Sequence, residues 1–257
     1  MKTGFTMKTL SLAVLGLAGL GFGASAFAAC PGNPVPPWSG SAAFGGASIA
    51  IVSGGLAGTA CKLQSGLGTS GIDATAVGTV RYDNSQSESR YRFRFYFDTS
   101  SFTSGFSQAT AAVQVFTANA PSTVNGRRQL MKVNLVPGGA ANTLRLSFNT
   151  ACNNGTTYRC TLMQTGDLTA GPHWVEADIN VASGTAGYYK VWVDKTGSAE
   201  GATTASVLNI DNSPWTGVKQ VSLGIASATD KYLSPDGVNK PVYFDEFDSR
   251  RSSYIGQ

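Results

Sequence analysis

The segment Glu176-Ala177-Asp178-Ile179-Asn180 contains the most distinctive candidate chemistry in the chain. Side chains two residues apart on a strand point to the same face, so Glu176, Asp178 and Asn180 should lie side by side. Paired carboxylates can cleave a glycosidic bond when one acts as nucleophile and the other as proton donor. The amide of Asn180 cannot exchange a proton in this way. The pattern therefore indicates either the polar outer face of a strand, which we expect to be solvated, or an altered hydrolase site.

Aromatic residues close to this segment suggest a surface for sugars. Tyr188 and Trp192 share one face of the strand around Tyr188–Val193, and Trp215 follows a loop-like Asn212-Ser213-Pro214. Aromatic rings beside polar groups can bind carbohydrate, but the same rings can equally pack between sheets or cover an edge. The candidate ligand-binding residues are Glu176, Asp178, Asn180, Tyr188, Trp192 and Trp215, and the expected partner is a glycan or cell-surface polymer.

No nucleophile triad or cofactor motif accompanies these residues. His173 is the only histidine, and no Gly-x-Ser-x-Gly segment occurs, so a serine hydrolase has no support. We expect no cofactor and no metal. Calcium stays open as an alternative, because that ion takes oxygen ligands from converging loops. The available acids are Asp211, Asp230, Asp236, Asp245, Glu246 and Asp248.

Four cysteines, Cys30, Cys61, Cys152 and Cys160, allow three disulfide pairings. Their spacing favours Cys30–Cys61 and Cys152–Cys160, the second pair closing a loop that contains Asn153-Asn154-Gly155. Metal binding is the weaker interpretation, because no Cys-x-x-Cys occurs.

Residues 1–29 have the pattern of a secretory signal peptide. Lys2 and Lys8 precede an apolar run, and Ala26-Phe27-Ala28 forms a small-x-small cleavage site. The run is too short and too rich in glycine to predict a membrane anchor. Lipidation at Cys30 is the alternative, since small residues precede it. The expected organisation is a signal peptide over 1–29, a Pro/Gly-rich lead-in over 30–46 and one domain over 47–257, in a secreted protein.

The composition predicts an all-β domain. Charged residues make up only 13%, glycines number 31, and short alternating runs recur along the chain. Removing Lys2 and Lys8 lowers the net charge from +4 to about +2, which argues against a nucleic-acid partner. About thirteen predicted strands favour an antiparallel two-sheet sandwich. The residues expected between the sheets are Phe93, Phe95, Phe97, Val175, Ile179, Val191, Val193 and Phe244.

The second half of the chain resembles the concanavalin A-like lectin/glucanase superfamily, especially its laminin-G-like jelly rolls. The resemblance rests on four segments of strand sequence: Trp174-Val175-Glu176, Val191-Trp192-Val193-Asp194, Leu223-Gly224 and Phe244-Asp245-Glu246-Phe247. It implies a bacterial secreted jelly roll and extends more weakly to Arg90. Glycanases of this superfamily carry Glu-x-Asp-x-(x)-Glu on one strand. Asn180 replaces the last glutamate here, so we predict no retaining glycoside hydrolysis.

The sequence thus favours a secreted, non-catalytic binding or adhesion module, plausibly for carbohydrate. Two alternatives stay open, because one fold can host unrelated functions. The first is a structural cell-surface or matrix protein without a small ligand. The second is a polysaccharide hydrolase or lyase.

Overall fold

The structure, a computed structural model, describes residues 30–32, 38–66, 77–101, 112–140, 143–197, 199–228 and 241–256. These residues form two antiparallel sheets of seven strands each. The predicted all-β sandwich is therefore confirmed. The predicted signal peptide lies outside the described residues. No helix in the described parts of the chain is long and apolar enough to cross a membrane.

Neighbouring strands in each sheet are hydrogen-bonded in a fixed spatial order. Sheet I consists of β1 (Gly40–Phe44), β4 (Val77–Glu88), β13 (Val218–Ala228), β6 (Val113–Val124), β7 (Arg127–Pro137), β8 (Leu144–Thr150) and β9 (Met163–Gln164). Sheet II consists of β12 (Ala205–Ile210), β11 (Gly187–Val193), β10 (Pro172–Asn180), β5 (Arg90–Asp98), β14 (Val242–Arg250), β3 (Cys61–Gly66) and β2 (Ser48–Ser53). A short 3-10 helix spans Ser213–Trp215.

The core lies between the two sheets, where the period-two pattern places it. All eight residues expected there are buried: Phe93, Phe95, Phe97, Val175, Ile179, Val191, Val193 and Phe244. Phe93 of sheet II stacks on Phe116 of sheet I with 4.1 Å between the ring centroids. Each fully buried phenylalanine contributes about 1.5–3 kcal/mol through the hydrophobic effect, so this aromatic layer is a main source of stability.

Both predicted disulfides are present. The Cα atoms are 5.8 Å apart in Cys30–Cys61 and 5.0 Å apart in Cys152–Cys160. The first bond ties the N-terminal segment to β3. A sulfur atom in a disulfide cannot carry a lipid, so this pairing argues against lipidation at Cys30. The segment 30–46 also contains β1, which pairs with β4, so the strand pairing of the sandwich begins at Gly40.

The glycine in the Leu223-Gly224 pair is required by the close packing of two strands. Gly224 adopts φ +116°, and a Cβ atom there would lie 2.3 Å from the carbonyl oxygen of Gly78. Only glycine allows β13 to approach β4 this closely at that point. This part of the sequence pattern is therefore explained by the packing of β13 against β4.

Candidate functional site

Five of the six candidate ligand-binding residues lie together on the outer face of sheet II, whereas Trp215 belongs to the core. Glu176, Asp178 and Asn180 of β10 pair with Trp192, Lys190 and Tyr188 of β11, and with Arg94, Arg92 and Arg90 of β5. We call this set of nine residues the covered face. Glu176 and Asp178 of the central strand thus lie between three arginines on one side and Trp192, Lys190 and Tyr188 on the other.

The carboxylates of the covered face are held in buried ion pairs. Arg92 donates to Glu176 at 2.5 Å, and both side chains are fully buried. Asp178, also fully buried, accepts from Arg90 at 2.9 Å and from the hydroxyl of Tyr188 at 3.2 Å. Arg92 also donates to Glu200 at 3.0 Å. The expectation that this face is solvated is therefore wrong, because both acids are excluded from water.

Two segments distant in sequence cover this face. The backbone N–H groups of Ile255 and Gly256 each donate to Glu176 at 2.9 Å, and Arg94 donates to the carbonyl of Gly256 at 2.7 Å. Trp192 is fully buried against Tyr254, and its Nε1 donates to the carbonyl of Gly201. A sugar could reach Glu176 only if the C-terminal segment moved away.

The remaining sequence candidates are also engaged within the protein. The amide of Asn180 donates to the carbonyl of Ala186. Trp215 is fully buried rather than presented by a loop, and its Nε1 donates to the carbonyl of Arg127 at 3.1 Å. Tyr188 keeps partial exposure beside Lys190. These side chains do not form an open aromatic platform.

His173 lies at the start of β10 between two acceptors. Its Nδ1 is 2.6 Å from Oδ2 of Asp194, and its Nε2 is 2.9 Å from the carbonyl oxygen of Thr169. A doubly protonated imidazole can donate to both oxygens, whereas a neutral ring leaves one of them facing a lone pair. The hydrogen bond to Asp194 is the main cause that raises the pKa of His173, against the opposing effect of burial.

We expect the stability contributed by His173 to be present at acidic pH and to be lost at alkaline pH. Its folded-state pKa is raised above the ordinary 6.5, so the contribution is complete below that value and disappears as the pH rises through the folded-state pKa. Urea denaturation of the wild type and His173→Gln at several pH values measures this directly. The difference between their free energies of unfolding should narrow as the pH rises, and a difference that widens would contradict the assignment.

The acids considered for calcium have partners within the protein where they are described. Asp211 accepts from Ser213, Asp245 from the backbone of Leu56, and Glu246 from Arg94. Asp248 pairs with Arg250. The described residues contain no group of three or more His, Cys, Asp or Glu side chains that could hold a metal ion. Asp230 and Asp236 lie outside the described residues, so calcium binding stays an untested alternative.

A second polar region lies on the outer face of sheet I, and the sequence analysis did not select it. A pocket of about 180 Å³ opens there. We call it the basic pocket; its lining residues are Gln114, Arg127, Lys132, Asn134, Asn149 and Arg159. Three of the six side chains are cationic and three are amides, and no described carboxylate lines the pocket. This composition suits an anion that also offers hydroxyl groups.

Adjacent strands of sheet I position the side chains of the basic pocket. Lys132 on β7 pairs with Asn149 on β8, and Asn134 on β7 pairs with Gln114 on β6. Arg127 begins β7 at the end of the β6–β7 hairpin. Arg159 reaches the same side through an isolated bridge to Ala151, just beyond β8. Strand pairing and this bridge thus bring together residues up to 45 positions apart (159 minus 114).

Burial and neighbouring positive charge lower the pKa of two of the pocket's cations, Lys132 and Arg127. Burial is the larger cause that lowers the pKa of Lys132, and the positive charges of Arg127 and Arg159 lower it further. Burial, followed by the charge of Arg159, lowers the pKa of Arg127. A lysine whose pKa is lowered has a larger neutral fraction near neutral pH, and only the neutral amine can accept a proton. The pocket therefore combines two guanidinium groups with a lysine amine that loses its proton more readily than an ordinary lysine.

A sequence signal for this pocket does exist. The runs AVQVFTA, LMKVNLV and TLRLSFN each alternate, and their outward positions carry Gln114, Lys132, Asn134 and Asn149. Consecutive strands often pair, so these polar positions could have been assigned to one shared face. Arg159 could not be assigned this way, because it belongs to the disulfide-closed loop after β8.

Comparison with known proteins supports the fold alone. No family model and no curated protein matches the chain. Among solved structures, an endo-β-1,4-glucuronan lyase from the fungus Trichoderma reesei is 14% identical, with a TM-score of 0.61 over 85% of this chain and 92% of the other. The alginate lyase Aly36B is 14% identical, with a TM-score of 0.57 over 82% and 86% of the two chains. An alginate lyase from Pseudomonas aeruginosa is 9% identical, with a TM-score of 0.51 over 74% and 83%.

Proposed function

We propose that this protein is a secreted polysaccharide lyase that cleaves polyuronate chains in the basic pocket. The observation that carries the proposal is the meeting of Arg127, Lys132 and Arg159 in one pocket that no described carboxylate lines. A polyuronate carries one carboxylate on each sugar unit, and a surface of one charge attracts such a polyanion. The structural similarity to lyases of glucuronan and alginate, which are both polyuronates, adds support.

The chemistry of the pocket fits β-elimination. The neutral amine of Lys132 takes the proton from C5, the carbon next to the uronate carboxylate. The released electron pair forms a C4–C5 double bond while the bond from C4 to the glycosidic oxygen breaks. Arg127 and Arg159 bind the carboxylate and stabilise the negative charge that develops on it in the transition state. No water is consumed.

The leaving oxygen needs a proton, and Lys132 can supply it. The described lining of the pocket contains no tyrosine and no histidine. After the first transfer Lys132 is an ammonium group, which can return its proton to the departing oxygen. One lysine thus acts in turn as base and acid on one side of the sugar.

Secretion belongs to the same proposal. Residues 1–29 are predicted to be a signal peptide, and two disulfides are typical of oxidising compartments. Extracellular and cell-surface polysaccharides would be accessible there. We retain the concanavalin A-like resemblance as part of the proposal, because the two-sheet sandwich fits it.

Product analysis tests the proposal directly. The purified protein is incubated with glucuronan, alginate, polygalacturonate and, as a neutral control, β-glucan. We expect ultraviolet absorbance from a double bond conjugated to the carboxylate, and fragments whose masses lack the water that hydrolysis adds. Fragments that do contain added water would instead establish a hydrolase and contradict elimination.

Non-catalytic binding of the same polymers is the second candidate function. The observation that favours it is the absence of tyrosine and histidine from the described pocket lining, which leaves Lys132 as the only proton-transfer group there. Salt-sensitive binding of polyuronate without any cleavage would support this candidate over the lyase.

A further inference from the structure

A second pocket adjoins the basic pocket at the edge of the sandwich. It measures about 420 Å³ and lies between the disulfide-closed loop of Cys152–Cys160 and the edge strand β12. We call it the edge pocket. Its lining consists of Cys152, Asn153, Asn154, Arg159, Cys160, Thr161, Val207, Leu208, Asn209, Ile210 and Asp211.

Arg159 lines both pockets, so they meet at this residue. Ligand pockets usually measure about 300–1,000 Å³, and the basic pocket, at about 180 Å³, is smaller than that range. A polysaccharide held there must extend beyond it. The edge pocket, at about 420 Å³, offers the space for the next part of the chain.

The charge of the edge pocket differs from that of the basic pocket. Among the described lining residues, the carboxylate of Asp211 is the only ionisable group apart from the shared Arg159. Ser213 donates to this carboxylate at 2.8 and 3.0 Å, and Asn153 donates at 3.3 Å. The bonds from Ser213 lower the pKa of Asp211 and keep it ionised near neutral pH. A uronate placed beside it would meet a like charge.

The rest of the lining suits an uncharged sugar. Asn209 and Thr161 are exposed polar side chains that can bind hydroxyl groups. The side chain of Leu208, which is 49% exposed, offers an apolar surface to the C–H groups of a sugar ring. Hydroxyl groups and C–H faces are what a neutral sugar unit presents.

The edge pocket is also pre-formed. The side-chain oxygen of Asn154 accepts from the backbone N–H groups of Thr156, Thr157 and Tyr158, and its nitrogen donates to the carbonyl of Arg159. The backbone N–H of Asn153 donates to the carbonyl of Asp211 at 2.7 Å, which joins the loop to the end of β12. Because the loop is already ordered, binding a ligand costs less conformational entropy, and the affinity is higher.

We propose that the substrate passes from the basic pocket over Arg159 into the edge pocket, and that the edge pocket takes an uncharged sugar unit. The preferred substrate would then be a heteropolysaccharide in which uronate and neutral sugars alternate, rather than a uniform polyuronate. This inference rests on the proposed function, because the basic pocket must hold the uronate.

Two sets of oligosaccharides of equal length test the inference: one alternating uronate with neutral hexose, and one of uronate alone. We expect the wild type to bind the alternating set about tenfold more tightly, as measured by calorimetry. Leu208→Arg adds a cation to the edge pocket and should remove this preference by improving the binding of uniform uronate. Leu162→Arg is the matched control, because Leu162 is equally exposed (51%) but does not line the pocket; it should keep the wild-type preference.

The outcomes separate the two proposals. Equal or tighter binding of uniform uronate by the wild type, with no effect of Leu208→Arg, would overturn the edge-pocket inference. If Arg127→Gln still weakened both sets in that case, the basic pocket would stand, because Arg127 lines the basic pocket and not the edge pocket. Binding of neither set would overturn both proposals together.

Discussion

Replacing Lys132 by methionine is expected to lower the rate of polyuronate cleavage by about 10²–10⁴-fold, the usual contribution of a positioned acid–base group. Methionine has a similar length and no basic nitrogen, so the side chain still occupies the same place on the outer face of sheet I while the proton acceptor is lost. Lys132 lies half-buried on β7, and a surface change of this kind should alter the free energy of unfolding little. The rise in ultraviolet absorbance with polyuronate measures the loss.

Two comparisons make this prediction specific. Lys190→Met is the matched control, because Lys190 is a half-buried lysine in the middle of a strand on the opposite sheet, and its removal should leave the cleavage rate unchanged. Arg159→Gln removes one of the charges that lower the pKa of Lys132. The midpoint of the rise in rate with pH should therefore move to higher pH. Cleavage that survives in Lys132→Met would show that another group is the base.

Glu176→Ala is expected to lower the free energy of unfolding by about 3–5 kcal/mol, the usual cost of removing one partner from a buried ion pair. Arg92 would be left fully buried without its 2.5 Å partner. The N–H groups of Ile255 and Gly256 would also lose their acceptor. Denaturant titration measures the loss, and hydrogen exchange at Ile255 and Gly256 should become faster.

Glu246→Ala provides the comparison within the same network. Glu246 pairs with Arg94 at 3.1 Å, but its side chain is 39% exposed, so its loss should cost only about 0–1 kcal/mol. A cost below 1 kcal/mol for Glu176→Ala would show that this carboxylate does not hold the C-terminal segment in place. Below its unfolding transition, Glu176→Ala should still cleave polyuronate, because the basic pocket lies on the other sheet.

The placement of the two polar regions has a functional consequence. On sheet II the charged side chains are neutralised by one another and covered by residues 254–256. On sheet I the cations of the basic pocket have no described acid among their pocket neighbours. Uncompensated charge at a pocket is available to a ligand, whereas compensated and buried charge contributes to specifying the fold. The cations around Lys132 are therefore better placed to bind a charged polymer than the buried carboxylate of Glu176.

Much of the architecture could be predicted from local patterns. The period-two alternation in Arg90–Phe97 identified Phe93, Phe95 and Phe97 as core residues, because side chains along a strand point alternately to its two faces. The spacing of Cys152 and Cys160 identified their disulfide, because a short loop keeps its two ends close. These properties depend on residues that are close in sequence, so local patterns are sufficient to predict them.

What lies over the outer face of each sheet depends on how the whole chain packs, and local patterns do not predict it. Alternation shows that Glu176 and Lys132 both point away from the core, but it does not show what lies over them. Glu176 is covered by residues that follow it by 79 and 80 positions. Lys132 instead meets Arg127 and Arg159, which arrive from a hairpin end and a disulfide loop. Such contacts depend on how the whole chain packs, and for that reason the same local pattern produced a buried ion-pair network on one sheet and a basic pocket on the other.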